Sequence, residues 1–297
     1  MLEFRRLMLG DIDKVRKYFP YSVTRICDNT VGGAFMWRDY FLVEFAEYNE
    51  TIIFKSQVKY HRLTAFSMPL GKDLRGSIDQ IVEYCRSYGM PVAFSPVTNE
   101  DVDVLQMVFS DFQLLKDPDW SDYVYYAADL INLSGRKFSG QRNHINYFKR
   151  THEDYSFEEI SAANLGHVRD FYARLSSRLD IDSEIFAEEH NKTVEVLENY
   201  DAYGLLGALL RVRGDVIAFS VGEINRDVLF IHIEKANAHF RGAYQIINNE
   251  FARRFASEDV LLINREEDVG DEGLRTSKNS YHPSEIIDKY IFLGTGE

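Results

Sequence analysis

The chain is predicted to fold as α/β, of the α+β kind, in two consecutive halves. Three observations predict this. Helical and strand-like patterns alternate through the first half. Three apolar segments joined by tight polar turns form a meander in the second half. A loop, a helix and one more short apolar run follow that meander.

In chain order, Met8 to Tyr18 is expected to be helical, with Asp11 near its start. Phe41 to Phe45 and Thr51 to Phe54 read as strands about a turn at Asn49-Glu50. From Leu74 to Tyr88, the residues Leu74, Ile78, Ile81, Val82 and Cys85 recur at helical spacing, and Gly89 supplies the stop. Pro91 to Ser95 reads as a strand and Asp101 to Phe109 as a helix. The stretch Asp117-Pro118-Asp119-Trp120 punctuates the chain, so the domains are placed at 1–122 and 123–297.

In the second half, Tyr123 to Tyr126 reads as a strand. Helices are expected over 139–152, with Ser139 as N-cap, over Ala163 to Leu175 and over Glu184 to Glu198. The meander runs Tyr203 to Val212, Val216 to Ile224 and Val228 to Lys235, turning at Arg213-Gly214-Asp215 and Asn225-Arg226-Asp227. The tripeptide Arg213-Gly214-Asp215 is explained by its turn, because glycine supplies positive φ. A helix from Gly242 to Phe255, a strand from Val260 to Ile263 and a last strand from Lys289 to Leu293 complete the reading.

Composition narrows the function classes. The 297 residues are 45% hydrophobic and 27% charged, which indicates a globular chain. A formal charge of −13 excludes a uniformly basic nucleic-acid surface, and no DNA partner is expected. Two cysteines without metal or redox spacing, and no apolar run of membrane-span length, predict a cytoplasmic chain with no membrane span. The eight histidines show no paired ligand spacing. Asp268-Val269-Gly270-Asp271-Glu272-Gly273 lacks the acidic ladder of a calcium-binding EF-hand, so no metal is expected. P-loop, dinucleotide and nucleophile-elbow motifs are absent.

The densest chemistry lies after Ile263. The run Asn264-Arg265-Glu266-Glu267-Asp268, followed by Arg275 and Lys278, places charge of both signs on what reads as a loop. A salt-bridged surface turn is the plain reading; one wall of a site for a charged substrate is the other. The helix over 139–152 carries Arg142 and Lys149 on one face, just after Arg136 and Lys137. That face is either an ordinary solvated one or a phosphate clamp for a tRNA end or a nucleotide-bearing donor.

The order strand–strand–strand–loop–helix–strand resembles the core of the GNAT-type N-acetyltransferase fold. In that fold the loop and helix N-terminus after the fourth strand hold the donor's pyrophosphate, because unsatisfied N–H groups and the helix dipole attract anions. Here that loop reads His239-Phe240-Arg241-Gly242-Ala243-Tyr244. Gly242 fits the coenzyme A-binding pattern, whereas His239 and Tyr244 do not fit its flanking positions. Arg241, Gly242 and Ala243 are the corresponding donor-binding candidates.

A more specific likeness rests on four motifs. They are Trp120-Ser121-Asp122-Tyr123-Val124-Tyr125; Gly135-Arg136-Lys137 with Gln141-Arg142-Asn143-His144; Ile233-Glu234-Lys235-Ala236; and Asn264-Arg265-Glu266-Glu267-Asp268 through Leu274-Arg275. Together they resemble bacterial proteins sharing the C-terminal domain of phosphatidylglycerol lysyltransferase. The resemblance implies two tandem acetyltransferase-like domains, each a mixed, mostly antiparallel sheet flanked by helices, as in the Fem-type aminoacyltransferases. It also implies acyl or aminoacyl transfer to an amine or hydroxyl acceptor, with aminoacyl-tRNA or acyl-CoA as donor and no tightly bound cofactor.

Within that frame Glu234, at the end of an apolar strand, is the candidate base. Glu234 paired with Lys235 or an arginine is the structural alternative. Tyr281 or Tyr290 is the candidate proton donor to the leaving group. Asn264, Arg265, Glu266, Asp268, Arg275 and Lys278 are expected on the acceptor side, with Arg275 and Lys278 suited to an oxyanion or a carboxylate. The function of the other class is a catalytically inactive module that senses a charged metabolite, peptide or tRNA.

Overall fold

The computed structural model describes residues 2–58, 61–116, 118–177 and 183–294. The chain divides into two compact units. One runs to Asp122 and is rejoined by the tail from Ile287; the other is Tyr123–Ile286. Asp117, in the punctuating stretch, lies outside the described residues.

The first unit comprises β1 (Arg5–Arg6), α1 (Ile12–Arg16), α2 (Val31–Met36), β2 (Glu44–Tyr48), β3 (Thr51–Val58), β4 (Leu63–Phe66), β5 (Leu70–Gly71), α3 (Leu74–Tyr88), β6 (Val92–Val97), α4 (Asn99–Leu105) and β7 (Phe112–Lys116). Its sheet runs β1-β2-β3-β4-β6, then the C-terminal strand Tyr290–Gly294, then β7, with β5 on β3. Asn49 and Glu50 both take positive φ, as a tight hairpin turn requires. Helix α3 keeps its expected bounds. Asp73 accepts from the Gly76 amide at its start, and Gly89 ends it at φ 62°. The first predicted helix shrinks to α1, because the chain enters a 3-10 turn at Phe19-Pro20-Tyr21.

The placement of the tail in 123–297 needs correction. Phe292 is fully buried beside Phe94 and Phe112, so the last strand completes the first unit's core.

The second unit comprises β8 (Asp122–Tyr126), α5 (Ala127–Asn132), α6 (Ser139–Thr151), β9 (Ser156–Glu159), α7 (Leu165–Ser176), α8 (Glu184–Glu198), α9 (Tyr200–Tyr203), β10 (Leu206–Val212), β11 (Asp215–Asn225), β12 (Val228–Ala236), α10 (Ala243–Phe255), β13 (Leu262–Asn264), α11 (Glu272–Asn279) and β14 (Glu285–Ile287). The strand order is β14-β8-β13-β12-β11-β10-β9. The meander β10-β11-β12 is antiparallel, and β13 returns parallel to β12 after α10. Arg213 and Gly214 turn with φ of 53° and 85°.

Helices α5, α6 and α10 cover one face, packing Phe138, Phe148, Ile247 and Phe251 against Tyr125, Leu229 and Ile263. Phe219 meets Phe171 and Tyr172 of α7 on the other face. Ser139 is not the N-cap expected for α6. The buried ring of Phe138 holds that position at the end of a 3-10 turn, and Ser139 becomes the first helical residue. The charged segment read as a loop also contains a helix, α11, capped by Asp271 through the Leu274 amide at 2.7 Å.

Two irregularities position the site. Strand β12 pairs with β13 only through Val228, Leu229 and Phe230, so its remaining residues run unpaired on that side and the strands fork. On its other side Ile231 faces Gly222 and Ile233 faces Val221, which leaves His232 as the extra residue of a bulge.

Candidate active site

The fork carries a buried charged group. Glu234, past the last β12–β13 pair, accepts from Arg265 Nη2 at 3.1 Å and from Asn248 Nδ2 of α10 at 2.9 Å. The Arg265 guanidinium lies 4.9 Å from the Tyr281 ring centre and 5.9 Å from that of Tyr125. The side chains of both ion-pair partners are about nine-tenths buried, at 10% and 11% exposure. Burial alone would lower the guanidinium's pKa, but Glu234 and the two tyrosines outweigh it and hold the group charged. Burial drives the Tyr281 and Tyr125 hydroxyls well above the ordinary tyrosine range, so both stay protonated.

Three polar atoms around this pair have no hydrogen-bond partner among the described residues: Arg265 Nη1, Asn248 Oδ1 and Ser220 Oγ. Ser220 is the cross-strand neighbour of Glu234. A buried polar atom left unmatched costs about 1–3 kcal/mol, so unmatched groups at a fork mark a place built to meet a ligand or a water.

Sequence reading missed a second constellation. His232, with a fully buried side chain, places Nε2 at 2.9 Å from Glu223 Oε1 and Nδ1 at 2.6 Å from Glu266 Oε1. Its ring lies parallel to that of Phe230. Burial alone would depress the imidazole pKa; the two carboxylates reverse this and raise it to about 10. These partners stand 9 and 34 residues away, so no spacing along the chain could reveal them.

The remaining acceptor-side candidates mostly serve the loop itself. Asn264 Oδ1 accepts from the Glu266 amide at 2.7 Å. Lys278 points its ammonium at the carbonyls of Arg265, Glu266 and Glu267, the first at 2.6 Å. An ammonium has three N–H donors, so three carbonyls leave it ill suited to the substrate role expected for it. Asp268 accepts from Tyr123 at 2.7 Å, from the Gly270 amide at 2.9 Å and from both arms of Arg275 at 2.8 Å. Of the six residues expected to form an acceptor wall, Arg265 meets Glu234 at the fork and Glu266 meets His232 there. Tyr281 also lies there, whereas Tyr290 belongs to the first unit's sheet.

Among the donor-side candidates, Gly242 precedes α10 with φ 94°, and no side chain caps that helix. A Cβ at Gly242 would lie 2.5 Å from the His144 carbonyl oxygen. Gly242→Ala is therefore expected to cost at least ~1–3 kcal/mol and to push α6 off the start of α10. Thermal melting checks this; an unshifted midpoint refutes the tight packing. In the first unit, α3 is capped by its own Asp73 carboxylate, which opposes anion binding there.

Arg142 and Lys149, expected as a phosphate clamp, each have partners within the chain. Arg142 donates to the carbonyls of Leu133 and Gly135, and Lys149 pairs with Glu250 at 3.2 Å. Arg241 is exposed over the Tyr147 ring, 4.8 Å away. It lines a groove of about 700 Å³ with Asn143, Asn146, Lys149 and Arg150. Ala243 is buried in the helical core.

The family model for the C-terminal domain of phosphatidylglycerol lysyltransferase matches residues 21–293. The chain belongs to that family. A conserved protein of unknown function from Bacteroides thetaiotaomicron superposes with a TM-score of 0.89 at 31% identity, covering 99% of this chain and 100% of that one. The structure of L-PGS from Bacillus licheniformis superposes with a TM-score of 0.59 at 17% identity, over 86% of this chain and 85% of that one.

FemX shares the fold, with a TM-score of 0.58 at 8% identity over 96% of each chain. This member of the family is thus a mixed α/β protein that shares its fold with FemX. An uncharacterised protein of Mycoplasmoides gallisepticum is 25% identical over 172 residues, 58% of this chain; the match spans 55% of that relative's length. No described helix is long and apolar enough to cross a membrane.

Proposed function

We propose that the second unit transfers an acyl or aminoacyl group from acyl-CoA or aminoacyl-tRNA to an amine or hydroxyl acceptor. One observation carries the reading: β12 leaves β13 after Phe230, and a buried Glu234–Arg265 pair with an unmatched guanidinium nitrogen sits at the split. The acceptor attacks the donor carbonyl, a new C–N or C–O bond forms, and the ester or thioester bond breaks. Arg265 Nη1 donates to the developing oxyanion, which a preorganised buried donor stabilises far better than water does. Glu234 takes the acceptor's proton, and protonated Tyr281 supplies one to the leaving group.

The donor's phosphates lie against the uncapped start of α10 and Arg241. The acceptor is small and charged, matched by the charged residues on both sides of the fork. Asn264, Asp268, Arg275 and Lys278 support this arrangement from the loop.

One observation favours the second reading, a binding module without catalysis. Both oxygens of Glu234 already accept hydrogen bonds, which weakens it as a base.

Incubation with labelled aminoacyl-tRNA or acetyl-CoA and a pool of amine acceptors separates the two. Transfer that falls about 100-fold in Glu234→Gln, in line with the usual weight of general-base catalysis, is the expected result. Donor binding without transfer to any acceptor would establish the module. Transfer unchanged in Glu234→Gln removes Glu234 as base.

A further inference from the structure

Arg265 and Glu266 are neighbours, yet their side chains reach different partners on β12: Arg265 pairs with Glu234, and Glu266 with His232. Towards β8 the main chain still holds them, since the Arg265 amide donates to the Tyr123 carbonyl at 3.0 Å and the Glu266 carbonyl accepts from the Tyr123 amide at 3.2 Å. Towards β12 the ladder ended at Phe230 and Asn264, and three features take its place on that side. The bulge turns His232 out of the β11 ladder towards Glu266. Glu266 holds positive φ, 59°, a conformation that costs a non-glycine residue energy and persists only when its surroundings impose it. Lys278 gathers the carbonyls of Arg265, Glu266 and Glu267.

Stability alone does not explain an ion cluster here. Taking a histidine and two carboxylates out of water consumes most of what their attraction supplies, and apolar residues of the same volume would stabilise the fold as well or better. What an ion cluster adds is direction. Glu223 on β11 anchors one ring nitrogen, and the other then holds Glu266 at a fixed distance from β12. Both nitrogens meet carboxylates, so the ring is doubly protonated and cannot choose an alternative tautomer.

We propose that Glu223–His232–Glu266 is a brace across the fork, with His232 a positioning residue that fixes the segment bearing Arg265 and so aims its guanidinium. The brace rests on the transferase reading only for what the aimed guanidinium does. Its geometry can be tested without any substrate.

Nitrogen NMR on arginine- and histidine-labelled protein is the test. In the wild type, His232 shows two ring N–H groups at pH 7, and the Arg265 terminal nitrogens give resolved signals because the group does not rotate. Glu266→Gln keeps an oxygen for Nδ1 and leaves Arg265 resolved. Glu266→Ala removes the hold, and the Arg265 signals average.

Should Glu266→Ala not fold, the triple replacement Glu223→Met, His232→Leu and Glu266→Met decides, with averaged Arg265 signals expected in a folded protein. Arg265 still resolved in either variant, a single ring N–H on His232, or failure of both variants to fold overturns the brace. Where transfer is detected, Glu266→Ala lowers kcat about 100-fold, the cost of roughly 1 Å of misplacement, and leaves KM for the donor unchanged. Absence of transfer in the wild type overturns the transferase reading alone; the NMR result still stands or falls by itself.

Discussion

Replacing Arg265 with methionine is expected to lower folding stability by about 3–5 kcal/mol and to abolish transfer. The stability loss comes from Glu234, not from the missing contact itself. With Arg265 gone, a carboxylate only 11% exposed keeps, among the described residues, the hydrogen bond from Asn248 and loses its paired guanidinium. Urea denaturation reads this directly. Adding Glu234→Met to Arg265→Met removes the stranded charge and is expected to restore most of the stability, because apolar groups of similar volume fill the site. Transfer stays absent in the double variant. A single variant that loses under 1 kcal/mol would mean that the pair is solvated, and the buried fork would be misplaced.

Asp268→Ala is expected to cost about 3 kcal/mol at neutral pH, with a loss of order in the loop between β13 and α11. Tyr123, buried, loses its acceptor, and the Gly270 amide loses the oxygen that shapes the turn. Arg275 contributes less, because its side chain is 40% exposed and water screens the pair.

The effect carries a pH signature. Burial would raise the Asp268 pKa, but Arg275, Tyr123 and the Gly270 amide outweigh it and hold the carboxyl below its ordinary value. Its stabilisation is therefore complete above the unfolded-state pKa of roughly 3.9 and is lost as pH falls through the lower folded-state value. The stability gap between wild type and Asp268→Ala should be constant from pH 8 to 5 and shrink only below about pH 4. A gap that shrinks between pH 7 and 5 would show that Asp268 is not held by these donors.

Local signals were legible where local chemistry decides structure. Helix α3 follows from five apolar residues on one face, an aspartate at its start and a glycine at its end. The meander follows from apolar runs divided by turn residues that accept positive φ. Helix α11 was open to the same reading. Asp271 is a capping residue, and acidic and basic residues stand at the ends that the helix dipole favours. Its charges satisfy the helix ends as well as they would satisfy a ligand, so charge density alone does not separate the two. The α6 start differs from the expected one for another reason: Ser139 has capping chemistry, but burying Phe138 sets where the chain turns.

For the candidate site, the sequence by itself determined the kinds of residue and their addresses: a carboxylate ending an apolar strand, an arginine just past the next strand, and a lone glycine before a helix. It determined the two-unit α/β character and the family. Only the tertiary structure decided the partners. Glu234 meets Arg265 across 31 residues, His232 joins Glu223 and Glu266, and Lys278 turns inward to carbonyls. The last strand also leaves its sequence neighbours to finish the first sheet.

The physical reason is one of range. Helix and turn preferences act over three or four residues and are written in order along the chain. A buried charge is constrained by whatever lies within about 3 Å of it, and that is set by strand register, a bulge and a fork, none of which adjacent residues encode.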